Sequence, residues 1–158
     1  MQIQDFSHHL EGIEEALQRQ LSKDLPKKLG NIAVRMFEDN FQSEGFFGRK
    51  WQEVQRRIPG TKSYNYLAKK DPADTKRKIL SGHPPGNLGH SIKYTPHDGY
   101  VVVHSDLKYA EAHNEGTNNA GRAHNTRIPK RQFMGEDPKL TAALEKKITD
   151  EISKALNK

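Results

Sequence analysis

The side chains best suited to chemistry in this sequence are its eight histidines. Four of them recur every seven positions, at His83, His90, His97 and His104. A seven-residue spacing brings side chains together only along a continuous helix. Two prolines follow the first of the four, and an Asp-Gly turn follows the third, so no single helix connects them. We therefore interpret the spacing as coincidence.

Three residues have the types that bind transition metals, namely His104, Asp106 and His113. Strand alternation would place His104 and Asp106 on one side of a strand, and His113 follows on a predicted helix. The spacing matches no established metal-binding motif. We therefore predict no metal site and no cofactor.

Two His-Asn dipeptides, at 113–114 and 124–125, bear a weak likeness to the HNH nuclease pattern. That site needs a hairpin between its two histidines, whereas the residues between these pairs form a loop rich in glycine and asparagine. No serine lies near a histidine and an acid in a recognisable turn, and no carboxylate pair lies among apolar residues. We predict that the protein is not an enzyme, and a metal-dependent nuclease is the least favoured alternative.

The charge of the chain is unevenly distributed around its net value of +6. Residues 48–80 hold ten basic and three acidic residues, a net +7, and residues 122–131 hold four basic and no acidic residues. Such patches suit a polyanion or an acidic protein partner, while a solvated loop is the plainer interpretation. A nucleic-acid-binding module is therefore an alternative, although we predict only weak, non-specific binding.

Composition predicts a single domain, 1–158, with a small core and long polar loops. Only 33% of the residues are hydrophobic, and there is no cysteine. The longest apolar run, Tyr100–Val103, is far shorter than the ~20 residues of a membrane span. We expect no membrane contact, no secretory signal and a cytoplasmic location.

Apolar residues with helical spacing predict an N-terminal helical region over 6–42. The first set steps by three or four residues from Leu10 to Leu21, and the second continues from Leu29 to Phe41. Pro26 suits the start of a helix better than its interior. The pattern predicts helices over 6–24 and 26–42, or one kinked rod.

The region 43–90 is predicted to be a basic, loop-rich connection. Trp51 is the only tryptophan, and we interpret it as part of the core. Prolines and glycines interrupt residues 56–86, where only Thr75–Leu80 looks regular.

The strongest local signal is a β-hairpin near 91–105, with Asp98 and Gly99 as its turn. A short helix over 107–115 and a polar loop over 117–126 follow. Asp137 can then cap a C-terminal helix that reaches 157. Helices followed by strands and a final helix predict an α+β fold with N-terminal helices, a small antiparallel sheet and a C-terminal helix.

Several short segments, in a fixed order, carry characteristic combinations of aromatic residues, histidine, proline and glycine. Tyr109–Gly116 fits a motif written YA..H..G, and Ile128–Gly135 fits a signature written IPxRPFLG. Residues 48–51 match a G..W element. Residues 79–82 together with 87–92 match an IL..(T/S)G.L..SI stretch, and residues 101–106 match a Val-rich strand. Together they resemble the phage virion morphogenesis, or tail-completion, family. Gln132 replaces an expected proline, and residues 83–86 look like an insertion.

The resemblance implies a structural protein of a tailed phage or prophage, acting in tail completion or head–tail joining through protein–protein contacts. It implies tail or connector proteins as partners and no catalysis. It also implies a homo-oligomeric ring on assembly and a monomer when free. The implied location is the bacterial host cytoplasm during assembly, and the virion.

The residues that match the family motifs are expected to have structural roles. They are Trp51, Gly82, Leu88, Ser91, Ile92, Tyr109, Ala110, His113 and Gly116. Tyr109 and Ala110 are expected to seat the short helix on the hairpin, and Gly116 to leave that helix with positive φ.

A candidate interface is formed by Ile128, Pro129, Arg131 and Phe133. Pro129 favours an extended approach, and Phe133 would anchor the segment in an apolar pocket. Arg131 would face an acidic neighbour, either within the fold or across a subunit interface. If the interface is correct, Arg131→Glu should spare the fold and block joining.

Overall fold

The structure is a computed structural model that describes residues 3–82 and 88–156. The predicted insertion at 83–86 therefore lies outside the described residues. The helices are α1 (Ile3–Arg19), α2 (Leu25–Ser43), α3 (Lys62–Lys70), α4 (Ala110–Glu115) and α5 (Pro138–Leu156). The strands are β1 (Gly45–Phe46), β2 (Arg49–Lys50), β3 (Ile92–His97), β4 (Tyr100–Ser105), β5 (Thr117–Ala120) and β6 (Thr126–Ile128).

The predicted α+β class is confirmed, with helices at both ends of the chain. The described strands form three two-stranded antiparallel sheets, β1–β2, β3–β4 and β5–β6, where the sequence predicts one small sheet. Within the described residues, no helix combines the length and the hydropathy that crossing a bilayer requires.

A π-helical turn over Gln20–Asp24 joins α1 to α2 without interruption. In this turn the Leu25 amide donates to the Gln20 carbonyl. Pro26 follows, and a proline ring would clash with the carbonyl four residues earlier in a regular α-helix. The wider turn relieves this clash, so the two predicted helices form one continuous rod.

The same proline provides an attachment point for the β3–β4 hairpin. Pro26 has no amide hydrogen, so the Ser22 carbonyl has no partner four residues ahead. The Gly99 amide, in the hairpin turn, donates to that carbonyl at 3.1 Å. Lys23 and Asp98 add an ion pair at 2.7 Å. A single proline thus both shapes the helix and leaves an acceptor for the turn.

Contacts divide the chain into two compact units. The first, unit 1, contains residues 1–36, 93–104 and 136–158, and the second, unit 2, contains residues 37–92 and 105–135. The single-domain organisation stays a prediction.

In unit 1, a close approach between α2 and β3 requires glycine. A methyl group on Gly30 would lie 2.5 Å from Cγ of the Tyr94 ring, closer than real side chains approach. Asp137 caps α5 as predicted, because its Oδ1 accepts from the Lys139 amide at 3.0 Å.

The buried carboxylate of Glu151 connects α5 to the continuous rod formed by α1 and α2. Lys147 donates to it at 2.8 Å, Lys28 also donates to it, and Gln20 donates at 3.1 Å. The hydrogen bonds from Lys147 and Lys28 outweigh burial and lower the pKa of Glu151 to about 2. The carboxylate therefore stays charged throughout the ordinary pH range.

Two predictions about unit 2 are wrong. The connection over 56–86 contains α3, which begins where the Thr61 side chain accepts from the Tyr64 amide, whereas most of Thr75–Leu80 is irregular. The polar loop 117–126 contains β5 and leads into β6, with Thr117 opposite Ile128. α3 contains no buried residue and contacts the short helical turns that flank it in sequence, and β5 pairs with the next strand, so neither element carries the pattern of a core helix or strand.

Candidate functional site

The Arg131–Met134 segment is held to α4 by its backbone. The Arg131 amide donates to the His113 carbonyl at 2.8 Å. Oδ1 of Asn114 then accepts from two amides at once, Phe133 at 2.9 Å and Met134 at 3.0 Å. The segment therefore lies along the end of α4. One backbone–backbone hydrogen bond and two bonds to the Asn114 side chain hold it there.

The opposite side of the segment is held by α2 and by the tryptophan. Asn40, which is buried in α2, donates through Nδ2 to the Phe133 carbonyl at 3.0 Å. Its Oδ1 accepts from the Phe47 amide at 2.9 Å. Nε1 of Trp51 donates to the Gln132 carbonyl at 2.7 Å. Hydrogen bonds thus fix the segment from two sides.

Aromatic packing fills the space between these contacts. Phe133 has no solvent exposure. The centroid of the Phe41 ring is 5.1 Å from that of Phe133 and 5.5 Å from that of Trp51. Aromatic pairs at these distances stabilise the packing by more than the burial of their apolar area alone provides. Trp51 is therefore part of the core, as the sequence predicts.

Arg131 is buried in the subunit, with 7% of its surface exposed. Its Nε donates to the Gln52 carbonyl at 3.1 Å. Burial lowers the pKa of Arg131, and the nearby charge of Glu53 partly opposes that shift. The hydrogen bond that the structure shows is to a backbone carbonyl of the same chain, and the acidic neighbour of Arg131 stays a prediction. The subunit interface stays a prediction.

His113 stands beside Arg131 in a half-buried position. The Tyr109 ring meets the imidazole edge-on at 5.9 Å between centroids. Burial lowers the pKa of His113, and the positive charge of Arg131 lowers it further. Both effects favour the neutral form of His113.

Comparison with known protein families identifies the family to which these motifs belong. A model of the phage virion morphogenesis family matches residues 3–157. The chain belongs to the phage virion morphogenesis family. It therefore has a role in phage morphogenesis. Neither the curated proteins nor the solved structures compared with it contain a significant match.

Three of the family motifs meet in unit 2, although they are far apart in sequence, whereas most of the Val-rich strand 101–106 belongs to unit 1. The YA..H..G segment supplies His113 and Asn114, the G..W element supplies Trp51, and the IPxRPFLG segment is the chain that they hold. Ile128 and Pro129 lie half-buried just before it. These three motifs therefore describe one packing arrangement.

The remaining motif residues mostly shape the backbone around this arrangement. Gly116 has a φ of 75°, as predicted, and a methyl group there would lie 2.7 Å from the Lys130 amide nitrogen. The Ser91 hydroxyl donates to the Leu88 carbonyl at 2.7 Å and lies 2.7 Å from the Ser105 hydroxyl.

The other members of this set differ in burial. Leu88, Ile92 and Ala110 are buried, whereas Gly82 is exposed with a φ of 41°. Tyr109 is 41% exposed, so it covers His113 from the surface side.

No metal-binding group is formed by the three residues that the sequence singled out. Among the described residues, no cluster of three or more histidine, aspartate or glutamate side chains could hold a metal ion. His113 and Asn114 close α4, while His124 lies in the turn between β5 and β6.

Sequence reasoning missed four residues that matter in this region, namely Asn40, Arg56, Arg77 and Asn114. A signal existed for Asn40, since it lies three residues after Phe37 on the apolar side of α2, where a polar residue needs a partner. No local pattern marks Arg56 or Asn114, because their partners lie elsewhere in the sequence, and the local ion pair of Arg77 with Asp74 does not show that Arg77 lies beside Arg56 and Arg131.

Proposed function

We propose that this protein completes the phage tail or joins the tail to the head, and that it acts through protein–protein contacts. The observation that carries the proposal is the family match over 3–157, nearly the whole chain. Three of the matched motifs pack against one another in unit 2.

The proposal includes a non-enzymatic role. Two polar motif side chains are engaged in structural bonds: Asn114 accepts from backbone amides, and Trp51 donates to a backbone carbonyl. Groups used in this way stabilise a surface for contact rather than a reacting substrate.

The proposed assembly is a ring in which one surface meets a different surface on the next subunit. Such head-to-tail contacts close when the rotation between subunits completes a circle. The free protein would be a monomer, and its partners would be other tail or connector proteins. The proposed locations are the host cytoplasm during assembly and the finished virion.

A lysate experiment tests the proposal. A phage or prophage whose copy of this gene is disrupted should accumulate filled heads and separate tails in electron micrographs. Addition of the purified full chain should restore joined particles. Joined particles in the disrupted strain, or a lack of heads or of tails, would contradict a role at this step.

Nucleic-acid binding is tested separately with duplex DNA. Fluorescence anisotropy should show weak binding without sequence preference, and the affinity should fall steeply as salt rises. A sub-micromolar, sequence-selective complex at physiological salt would instead favour a nucleic-acid-binding module.

A further inference from the structure

A pocket of about 300 Å³ in unit 2 carries concentrated positive charge. Three arginines line it, Arg56, Arg77 and Arg131, together with His113. The three come from different parts of the chain, so the fold has brought like charges together. Like charges in a recess destabilise the folded protein unless something opposes them.

Backbone carbonyls, rather than carboxylates, hold two of these arginines. Nη2 of Arg56 donates to the carbonyls of Arg77 and Lys78, at 2.9 Å and 2.8 Å. Nε of Arg131 donates to the Gln52 carbonyl. Carbonyl contacts orient the guanidinium groups, and the charges of Asp74 near Arg56 and of Glu53 near Arg131 offset only part of the effect of burial.

The third arginine, Arg77, has one carboxylate nearby, but the two groups do not form a hydrogen bond. Asp74 Oδ1 lies 3.0 Å from Nη1 of Arg77. The contact lacks hydrogen-bond geometry, because Nη1 has no acceptor among the described residues. The charge of Arg77 is therefore partly balanced by Asp74, while its Nε has no hydrogen-bond acceptor among the described residues.

Several buried nitrogen atoms of residues around the pocket lack hydrogen-bond partners within the described structure. Nε of Arg56, Nε of Arg77 and Nδ1 of His113 are all buried without a hydrogen bond within the described structure. Buried polar atoms without a partner are rare and unfavourable. Burial, and then the charge of Arg77, lower the pKa of Arg56, which is the direction expected for crowded positive charges.

The pocket wall is also strained and partly apolar. Leu80 has a φ of 59°, a left-handed conformation that branched side chains rarely adopt. Val54 and Leu88 add apolar surface beside the arginines. A ligand that fits therefore carries negative charge on a short apolar stem.

We propose that this pocket binds a carboxylate group of a partner protein. Guanidinium groups match carboxylates through paired hydrogen bonds, and the apolar wall suits the methylenes that carry an acidic side chain or the end of a chain. Arg131 is too deeply recessed for the broad backbone of duplex DNA. The inference rests on the proposed function only in assigning the carboxylate to a tail or connector protein.

The first test uses the full chain and sodium acetate at constant ionic strength. Arginine Nε–Hε resonances are followed by NMR. Those of Arg56 and Arg131 should shift and saturate, whereas that of the exposed Arg127 should not. Equal, unsaturated shifts at all arginines, or no shifts, would overturn the proposal.

Variants then test the guanidinium requirement. Arg77→Gln should weaken acetate binding about 10-fold or more, as expected for a lost charge-assisted hydrogen bond. Arg127→Gln is the matched control and should bind as wild type. Circular dichroism confirms folding, and Arg56→Lys, which keeps the charge but loses the planar fork, replaces Arg77→Gln if that variant does not fold. Unchanged affinity in the folded pocket variant would contradict the site.

Further probes identify the carboxylate source. One peptide carries an internal glutamate and an amidated end, and the other is polyalanine with a free carboxyl end. Saturation by either supports the proposal and names the source. Saturation by inorganic phosphate or a 12-base-pair duplex, with no response to acetate or peptides, would overturn it.

The same variants separate this inference from the proposed function. If carboxylates bind but Arg77→Gln still restores joined particles, the assignment of the ligand to a virion partner is wrong. If the disrupted strain shows no joining defect, the proposed function fails while acetate binding still decides the pocket.

Discussion

Replacing Asn114 by alanine removes the acceptor that two backbone amides share. The Oδ1 atom takes hydrogen bonds from the amides of Phe133 at 2.9 Å and Met134 at 3.0 Å. Alanine leaves both donors without an acceptor next to a buried phenylalanine. The change therefore tests whether this one side chain holds the 131–134 segment in place.

The expected loss follows from the burial of the two amides. A buried donor without a partner costs about 1–3 kcal/mol. Both bonds are partly rather than fully buried, so the lower part of the range applies to each donor. Asn114→Ala should therefore reduce the free energy of unfolding of unit 2 by about 2–4 kcal/mol.

Hydrogen exchange and urea denaturation measure this prediction together. The amides of Phe133 and Met134 should lose protection by more than the global loss of stability explains. Asn114→Asp keeps an acceptor at the same place and should retain most of the protection. Asn31→Ala, which removes only an exposed bond on α2, is the control and should change stability by less than about 0.5 kcal/mol.

A small effect would refute this reasoning. If Asn114→Ala loses less than about 1 kcal/mol and both amides stay protected, other contacts hold the segment. The shared acceptor would then be a consequence of the packing rather than one of its causes.

Three further perturbations test other parts of the structure. Gly30→Ala should lower the free energy of unfolding by about 1–3 kcal/mol through overpacking against Tyr94. Combining it with Tyr94→Ala should recover part of that loss, and strictly additive losses in the double-mutant cycle would contradict the contact. Because the pKa of Glu151 is lowered from 4.5 to about 2, chiefly by its hydrogen bond from Lys147, its stabilisation should be complete above pH 4.5 and disappear as the pH falls towards 2. Urea denaturation should show the stability advantage over Glu151→Gln shrinking across that range, and a constant difference would contradict the assignment. Arg131→Glu should melt about 2–10 °C below wild type, because a buried bond to a backbone carbonyl is lost; an unchanged midpoint would support the surface role that the sequence suggests.

Local signals account for the parts of the fold that the sequence predicts well. The spacing of apolar residues marks α1, α2 and α5 because a helix presents one face to the core along its whole length. Asp98 and Gly99 mark the β3–β4 hairpin because the turn needs a residue with positive φ, and Gly99 has a φ of 81°. These signals depend on neighbours within a few positions.

The candidate site was predicted only in part, and Arg131 shows why. Its motif context identifies it as important, and its charge in a polar stretch suggests a surface position. The structure places it beside the Gln52 carbonyl, 79 positions earlier in the chain, where burial becomes possible. No pattern around residue 131 contains that carbonyl. The same holds for Arg56 and Arg77, whose convergence with Arg131 depends on how three distant segments pack.

The sequence by itself determined the α+β class, the long helices, the main hairpin and, through the order of its motifs, the family. It did so because periodicity, turn chemistry and motif order are properties of consecutive residues. Only the tertiary structure decided that Asn114 holds the 131–134 segment and that three arginines share one pocket. Those outcomes depend on hydrogen bonds and burial between residues far apart in the chain, and such partners become defined only when the chain is folded.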